Sequence, residues 1–260
     1  MIITSLHNDK LKHIRALQSA GKIRRAEKQI VLDGVRLIAD ALDSGLQPAF
    51  ALYSEEATTV DKPAAQLLER LQAQGVDCTE LSPELMAQIS ETQTPQGILA
   101  VVPIPDLVPP KSLTLLLILD GIADPGNMGT ILRTAAASGV EGVLLAPGCV
   151  DAYNAKVLRG GMGAHFRVAI RKLGWSDILE KYGALPMYLA DAHAETAYTS
   201  VDWKQPAALI IGGEAYGANE QAQHAAAQQI AIPMSNAAES LNAAVAASVI
   251  LFEARRQRGL

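Results

Sequence analysis

The spacing of apolar positions along this chain changes again and again. Leu11, Ile14 and Leu17 recur at helical intervals before Gly21 interrupts. Gln29–Leu32 predicts a short strand and Val35–Leu42 a helix. The alternation continues with a strand at Ala49–Tyr53 and a helix at Pro63–Ala73, which carries Leu67, Leu68 and Leu71 on one side. A strand at Val76–Leu81, a short helix around Leu85, Met86 and Ile89, and an apolar strand at Gly97–Val102 follow. Together they predict an α/β unit of about 100 residues, an ordinary domain size.

Four prolines then fall within Pro103–Pro110, which favours a stiff, extended connection. The expected division is a domain over 1–103, a linker over 104–112 and a second domain over 113–260. In the second domain, Leu113–Leu119 reads as a strand covered on both faces. Helices are expected at Asn127–Ser138, Ala155–Arg159 and Ser176–Tyr182. Strands are expected at Val143–Ala146, Phe166–Ile170, Met187–Ala190, Ala207–Ile211 and Ile230–Ile232. A last helical stripe of Leu241, Ala244, Val245, Ser248, Val249 and Phe252 runs into Arg255, Arg256 and Arg258. Alternating strands and helices predict a mainly parallel sheet with helices on both faces.

Composition narrows the class. The chain has 260 residues and two cysteines, Cys78 and Cys149, too few for a disulfide framework, so a reducing cytoplasm is expected. No run reaches the roughly 18 apolar residues that span a bilayer, and the N-terminus turns polar too early for a secretory signal. The net charge is −5, yet residues 1–37 hold eight basic and three acidic side chains, so that segment is positive and the remainder strongly negative. Such asymmetry is the mark of a polyanion-binding region or of a solvated helix face. Lys22, Arg24 and Arg25 are the candidate phosphate contacts, with Arg36 in the same segment.

Several chemistries lack their signatures. There is no G-x-G-x-x-G dinucleotide turn, no G-x-x-x-x-G-K-[ST] phosphate loop and no G-x-S-x-G nucleophile elbow. The five histidines lie far apart without metal-ligand spacing, so no metal is expected. Three loops at expected strand ends stand out instead: Asp120–Gly129 followed by Arg133, Gly212–Gly217, and Ile232–Asn242.

These loops resemble the three signature motifs of the SpoU, or TrmH-like, RNA 2′-O-ribose methyltransferases. Asn127, Gly129 and Arg133 match the first motif. Gly212, Glu214 and Gly217 match the second, and Ile232, Pro233, Ser240, Leu241 and Asn242 the third. Val31–Leu42 resembles the start of the L30e-like substrate-binding domain of ribosomal RNA members. The resemblance implies a C-terminal trefoil-knot methyltransferase domain of the SPOUT type, where residues alone suggest a Rossmann-like sheet. Knots are nearly absent from other folds, so periodicity does not suggest one.

The resemblance also implies S-adenosylmethionine as cofactor, RNA as substrate and a homodimer built on the last helix. Cofactor contacts, largely through backbone, are expected at Gly213, Ile232, Met234 and Leu241, with the Leu189–Asp191 strand end as a further candidate. Asn127, Arg133, Glu214, Ser240 and Asn242 are the expected catalytic set. Arg133 stands as a base or, since arginine is hard to deprotonate, as a phosphate binder. Asn127 fixes its loop or the ribose, or caps a helix. Glu214 anchors Arg133 or a loop. Ser240 is a candidate cap for the last helix, and Asn242 orients substrate or closes the knot. Arg159 is an expected RNA contact. Where many relatives show Arg-Ala-Ser-x-Gly, this chain has Arg159-Gly-Gly-Met-Gly163, so the serine contact is missing. The expected activity is methyl transfer to a ribose 2′-hydroxyl, of 23S ribosomal RNA because of the accessory N-terminal domain. A transfer-RNA enzyme, a non-catalytic RNA-binding or ribosome-assembly protein and a small-molecule enzyme are the alternatives.

Overall fold

Strand-forming runs sort into two separate sheets. The computed structural model describes residues 2–92, 94–213, 217–235 and 240–259. The chain divides into two compact units, Met1–Pro105 with Tyr153–Arg159, and Asp106–Ala152 with Gly160–Leu260.

The first unit contains β1 (Ile2–Ile3), α1 (Asp9–Ser19), α2 (Gly21–Glu27), β2 (Gln29–Asp33), α3 (Val35–Asp43), β3 (Phe50–Tyr53), α4 (Glu55–Val60), α5 (Lys62–Ala73), β4 (Cys78–Leu81), α6 (Pro83–Ile89) and β5 (Ile98–Pro103). Its sheet runs β1-β4-β3-β5-β2, with β5 antiparallel to both neighbours and the other pairs parallel. The Asn8 side chain accepts the Lys10 amide and starts α1, whose Leu11, Ile14 and Leu17 are fully buried. Gly21 does not end helical structure. It opens α2 after one extended residue, Ala20. That turn carries Arg24 beneath the end of α1, where it is 5% exposed and donates to the carbonyls of Leu17 and Gln18. A helix leaves its last carbonyls without internal partners, and Arg24 supplies donors to two of them. The expectation of Arg24 as a phosphate contact is therefore corrected: its guanidinium is spent inside the fold.

The second unit contains β6 (Leu115–Asp120), α7 (Pro125–Ser138), β7 (Gly142–Leu145), the last two residues of α8 (Ala155–Gly161), β8 (Ala169–Lys172), α9 (Trp175–Tyr182), β9 (Met187–Ala190), β10 (Ala207–Gly212), α10 (Glu220–Ala225), β11 (Gln228–Ile230) and α11 (Ala243–Arg258). All six strands are parallel, in the order β11-β9-β10-β6-β7-β8. Every residue of β6 is buried, as a continuous apolar run in a doubly covered sheet requires. From β6 the chain goes outward to β7 and β8, then returns on the other side through β9, β10 and β11. The topology therefore reverses between β6 and β10, the kind of point at which open parallel sheets bind ligands.

Two strand positions differ from expectation. Where Phe166–Ile170 predicts one strand, Ala164–Phe166 forms a 3₁₀ turn and β8 starts at Ala169. The last strand is Gln228–Ile230, so Ile232 is left to a loop. Helix α11 buries Ala244, Ala247, Ile250, Leu251 and Ala254, while Val245 and Phe252 are 47% and 48% exposed. It lies along α7, joined by the Thr134 and Ser248 hydroxyls at 3.0 Å. Its last turn is fastened by Arg258, which donates to Trp203 O at 2.7 Å, Thr114 O at 2.6 Å and Gln205 O at 3.1 Å. Among the described residues no helix is long and apolar enough to cross a membrane, and no group of His, Cys, Asp and Glu is placed to hold a metal.

Candidate active site

Beyond the carboxyl ends of β9, β10 and β11 lies a cavity of about 570 Å³. Gly213, Ile232, Met234, Ser240, Leu241 and Asn242 all line it. A second cavity of about 720 Å³ shares His193, Ile232, Met234 and Ser240 with the first. These volumes are those of ordinary cofactor sites. Leu189 was expected here, but its side chain is 1% exposed and packs in the core with Leu116 and Ile210. The wall is made instead by the next two residues, Ala190 and Asp191.

The backbone amides of Ile232, Met234 and Leu241 have no backbone acceptor among the described residues. Backbone donors set among apolar side chains suit the ring nitrogens of adenine. Asp191 offers a carboxylate to a hydroxyl or an ammonium group. The residues present therefore fit S-adenosylmethionine, as aromatic ring, sugar and charged tail each find matching chemistry.

The start of α7 meets the cavity lining at Asn242. Asp124 caps this helix, accepting the Asn127 amide at 2.8 Å, and Pro125 occupies its first turn. Asn127 is thus not the cap, and its side chain is directed elsewhere. Asn242 Nδ2 donates to Asn127 Oδ1 at 3.0 Å, joining residues 115 positions apart. Asn242 also caps α11, its Oδ1 accepting the amides of Ala244 at 2.9 Å and Val245 at 3.3 Å. The cap expected at Ser240 is corrected accordingly: Ser240 lies two residues too early and faces the cavity. Arg133 is exposed on α7, one turn beyond Gly129. Glu214 lies outside the described residues.

Two glycines let backbones meet around the site. A Cβ on Gly129 would stand 2.9 Å from Gly160 Cα. A Cβ on Gly213 would collide with the carbonyl of Gly121. The Gly160–Gly161 pair that departs from the family pattern thus sits where a side chain is crowded. Nearby, His165 is fully buried and donates from Nε2 to Ala152 O at 2.7 Å. Burial pushes its imidazole down to about 4.

One buried polar residue escaped the sequence reading. Asp120, at the end of β6, is 2% exposed and accepts from Trp175 Nε1 at 3.1 Å, Asn219 N at 2.8 Å and Asn219 Nδ2 at 2.9 Å. The available signal was a carboxylate closing an otherwise apolar strand. Of the other expected RNA contacts, Lys22, Arg25 and Arg36 are exposed, and Arg159 is half-buried with Nη1 3.8 Å from Glu91 Oε2.

Residues 114–252 match the SpoU rRNA Methylase family. The chain belongs to this family. Residues 8–100 of this SpoU member match the MRM3-like substrate binding domain. Mitochondrial rRNA methyltransferase 3 of Homo sapiens is 34% identical over 95% of the chain and 72% of its own length. The 23S rRNA (guanosine(2553)-2′-O)-methyltransferase of Bacillus subtilis is 30% identical over 97% of the chain and 98% of its own length. The solved structure of an AdoMet-bound rRNA methyltransferase from Sinorhizobium meliloti superposes with a TM-score of 0.84 at 28% identity, covering 98% of this chain and 97% of that one. The mixed α/β architecture with a parallel C-terminal sheet and a smaller N-terminal domain is that of the SpoU methyltransferases.

Proposed function

We propose that the chain is an S-adenosylmethionine-dependent methyltransferase acting on a ribose 2′-hydroxyl of 23S ribosomal RNA. The observation that carries this is the Asn127–Asn242 hydrogen bond at the rim of the cavity formed by Gly213, Ile232, Met234 and Leu241. It couples the helix bearing Arg133 to the loop wall expected to hold the cofactor. When bound, S-adenosylmethionine supplies an electrophilic methyl group. The protein's part is alignment and proton removal.

Within this reading Gly213, Ile232, Met234 and Leu241 hold adenosine through backbone and apolar contact, and the strand end after Leu189 contributes Asp191. Asn127 and Asn242 orient the ribose. The Arg133 guanidinium grips a substrate phosphate, with Glu214 and Ser240 completing the set. Lys22, Arg25, Arg36 and Arg159 contact RNA phosphates. The deep trefoil knot implied by the family threads the C-terminal segment around the cavity. Val245 and Phe252, exposed on one face of α11 with Val249 between them, form the homodimer seam. The free cysteines Cys78 and Cys149 fit a cytoplasmic protein.

The test uses ribosomal RNA from cells lacking this protein, the purified chain and isotope-labelled methyl donor, followed by mapping of the label. The expected result is one ribose 2′-O-methyl group in 23S RNA. Label on a base, label in transfer RNA alone, or no transfer by a protein that binds the cofactor would contradict it.

A further inference from the structure

We infer that Asp120 is a positioning residue for cofactor binding, acting through Asn219 on the loop that walls the cavity. The inference rests on the cofactor assignment proposed above.

Asp120 governs both ends of one loop. At the near end, it pairs with Gly212 in the parallel ladder between β6 and β10, so its backbone sets where the loop leaves the sheet. At the far end, its carboxylate accepts both the amide and the side-chain Nδ2 of Asn219. Between these two points run Gly213, Gly217 and Ala218, all in the cavity wall. Asn219 passes the constraint on, because its Oδ1 accepts the Ala222 amide at 2.9 Å and caps α10. Gly213 leans on the carbonyl of Gly121, the residue after Asp120. The Asp120 carboxylate thus holds the loop at its return, and the backbone of Asp120 and Gly121 meets it at its exit.

Its third bond is accepted from Trp175 Nε1 at the start of α9, on the same Oδ1 that takes Asn219 Nδ2. That bond reaches the core beneath the sheet, where Trp175 belongs to the cluster against which Ala218 packs. Removing the Asn219 and Trp175 donors one at a time separates a positioning role from a structural one. All three donors are neutral N–H groups, so a carboxylate can satisfy them together. An asparagine at position 120 has one acceptor oxygen and one NH₂ group. It must set the NH₂ against either the Asn219 amide or the pair of Trp175 Nε1 and Asn219 Nδ2.

The experiment measures S-adenosylmethionine binding by calorimetry, with urea unfolding alongside, for wild type, Asp120→Asn, Asn219→Ser and Trp175→Phe. Serine is a favoured helix cap, so Asn219→Ser keeps the start of α10 while deleting the Nδ2 donor. Asn219→Ser is expected to weaken cofactor binding about tenfold with little change in urea midpoint, and Asp120→Asn at least as much. Trp175→Phe is expected to lower the urea midpoint while leaving cofactor affinity within about twofold of wild type. Equal weakening by Asn219→Ser and Trp175→Phe would overturn the inference, and so would unaltered affinity in Asn219→Ser, which stands even if Asp120→Asn fails to fold. A wild-type chain that binds no S-adenosylmethionine would refute the cofactor assignment itself, a result distinct from either.

Discussion

Replacing Asn242 separates what holds α11 from what builds the site. The wild-type side chain does two jobs: Oδ1 caps α11 through two amides, and Nδ2 reaches Asn127. Loss of a cap costs about 1 kcal/mol, and loss of one neutral hydrogen bond at an exposed position about 0.5 kcal/mol. Asn242→Ala should therefore lower unfolding free energy by about 1.5 kcal/mol. Asn242→Ser keeps a capping oxygen but is too short to span the 3.0 Å contact with Asn127, so its stability should stay within about 0.5 kcal/mol of wild type. If the bridge aligns the reacting groups, both variants should lose methyl transfer together, because a displacement of about 1 Å at a reacting centre can cost about a hundredfold. The assay is urea unfolding paired with single-turnover methyl transfer, expected to fall at least tenfold in Asn242→Ser. Full-rate transfer by a normally stable Asn242→Ser protein would refute the reasoning.

Gly129→Ala should destabilise the protein by about 1–3 kcal/mol in urea unfolding, since the new Cβ meets Gly160 Cα at 2.9 Å and backbone cannot give way. His165 makes stability depend on pH: its pKa is about 4 folded and 6.5 when exposed, so the unfolded chain takes up the proton first and stability falls as pH drops from about 6.5 to about 4. That contribution is about 3 kcal/mol, and the difference between wild type and His165→Gln across that window should reveal it; identical pH profiles would rule it out. Arg25→Ala should weaken RNA binding uniformly and reduce the salt slope by about one unit, with unfolding unchanged. Arg24→Ala should do the reverse, costing about 1–3 kcal/mol of stability because it strips donors from the buried Leu17 carbonyl and the part-buried Gln18 carbonyl.

The contrast between Arg24 and Arg25 shows where sequence reasoning stops. Two adjacent arginines look alike on paper, and only the turn at Ala20 decides which one rotates under α1. The helix α5 stands out because its apolar side chains recur at helical spacing, and β6 because its apolar run is unbroken. By contrast, β1 has two residues and α4 buries none of its side chains, so neither carries a period to detect. In the site, the pattern Ser-Leu-Asn predicts a helix start near 240–242 but does not say which polar residue caps it; the backbone turn gives that place to Asn242. Leu189 fails for the reason strands alternate: the cavity lies past the strand end, where Ala190 and Asp191 stand. Asp120 was hidden because its partners, Trp175 and Asn219, are distant in sequence and join it only through the order of the sheet.

The central claim is that loops from three distant stretches of chain close around one cofactor. A crystal structure of the protein soaked with S-adenosylmethionine tests it directly. The account predicts difference density in the cavity, with adenosine against the backbone of Gly213, Ile232, Met234 and Leu241 and the methyl group turned towards Asn127 and Arg133. Density at any other place on the chain, or an unchanged cavity at saturating cofactor, would contradict it.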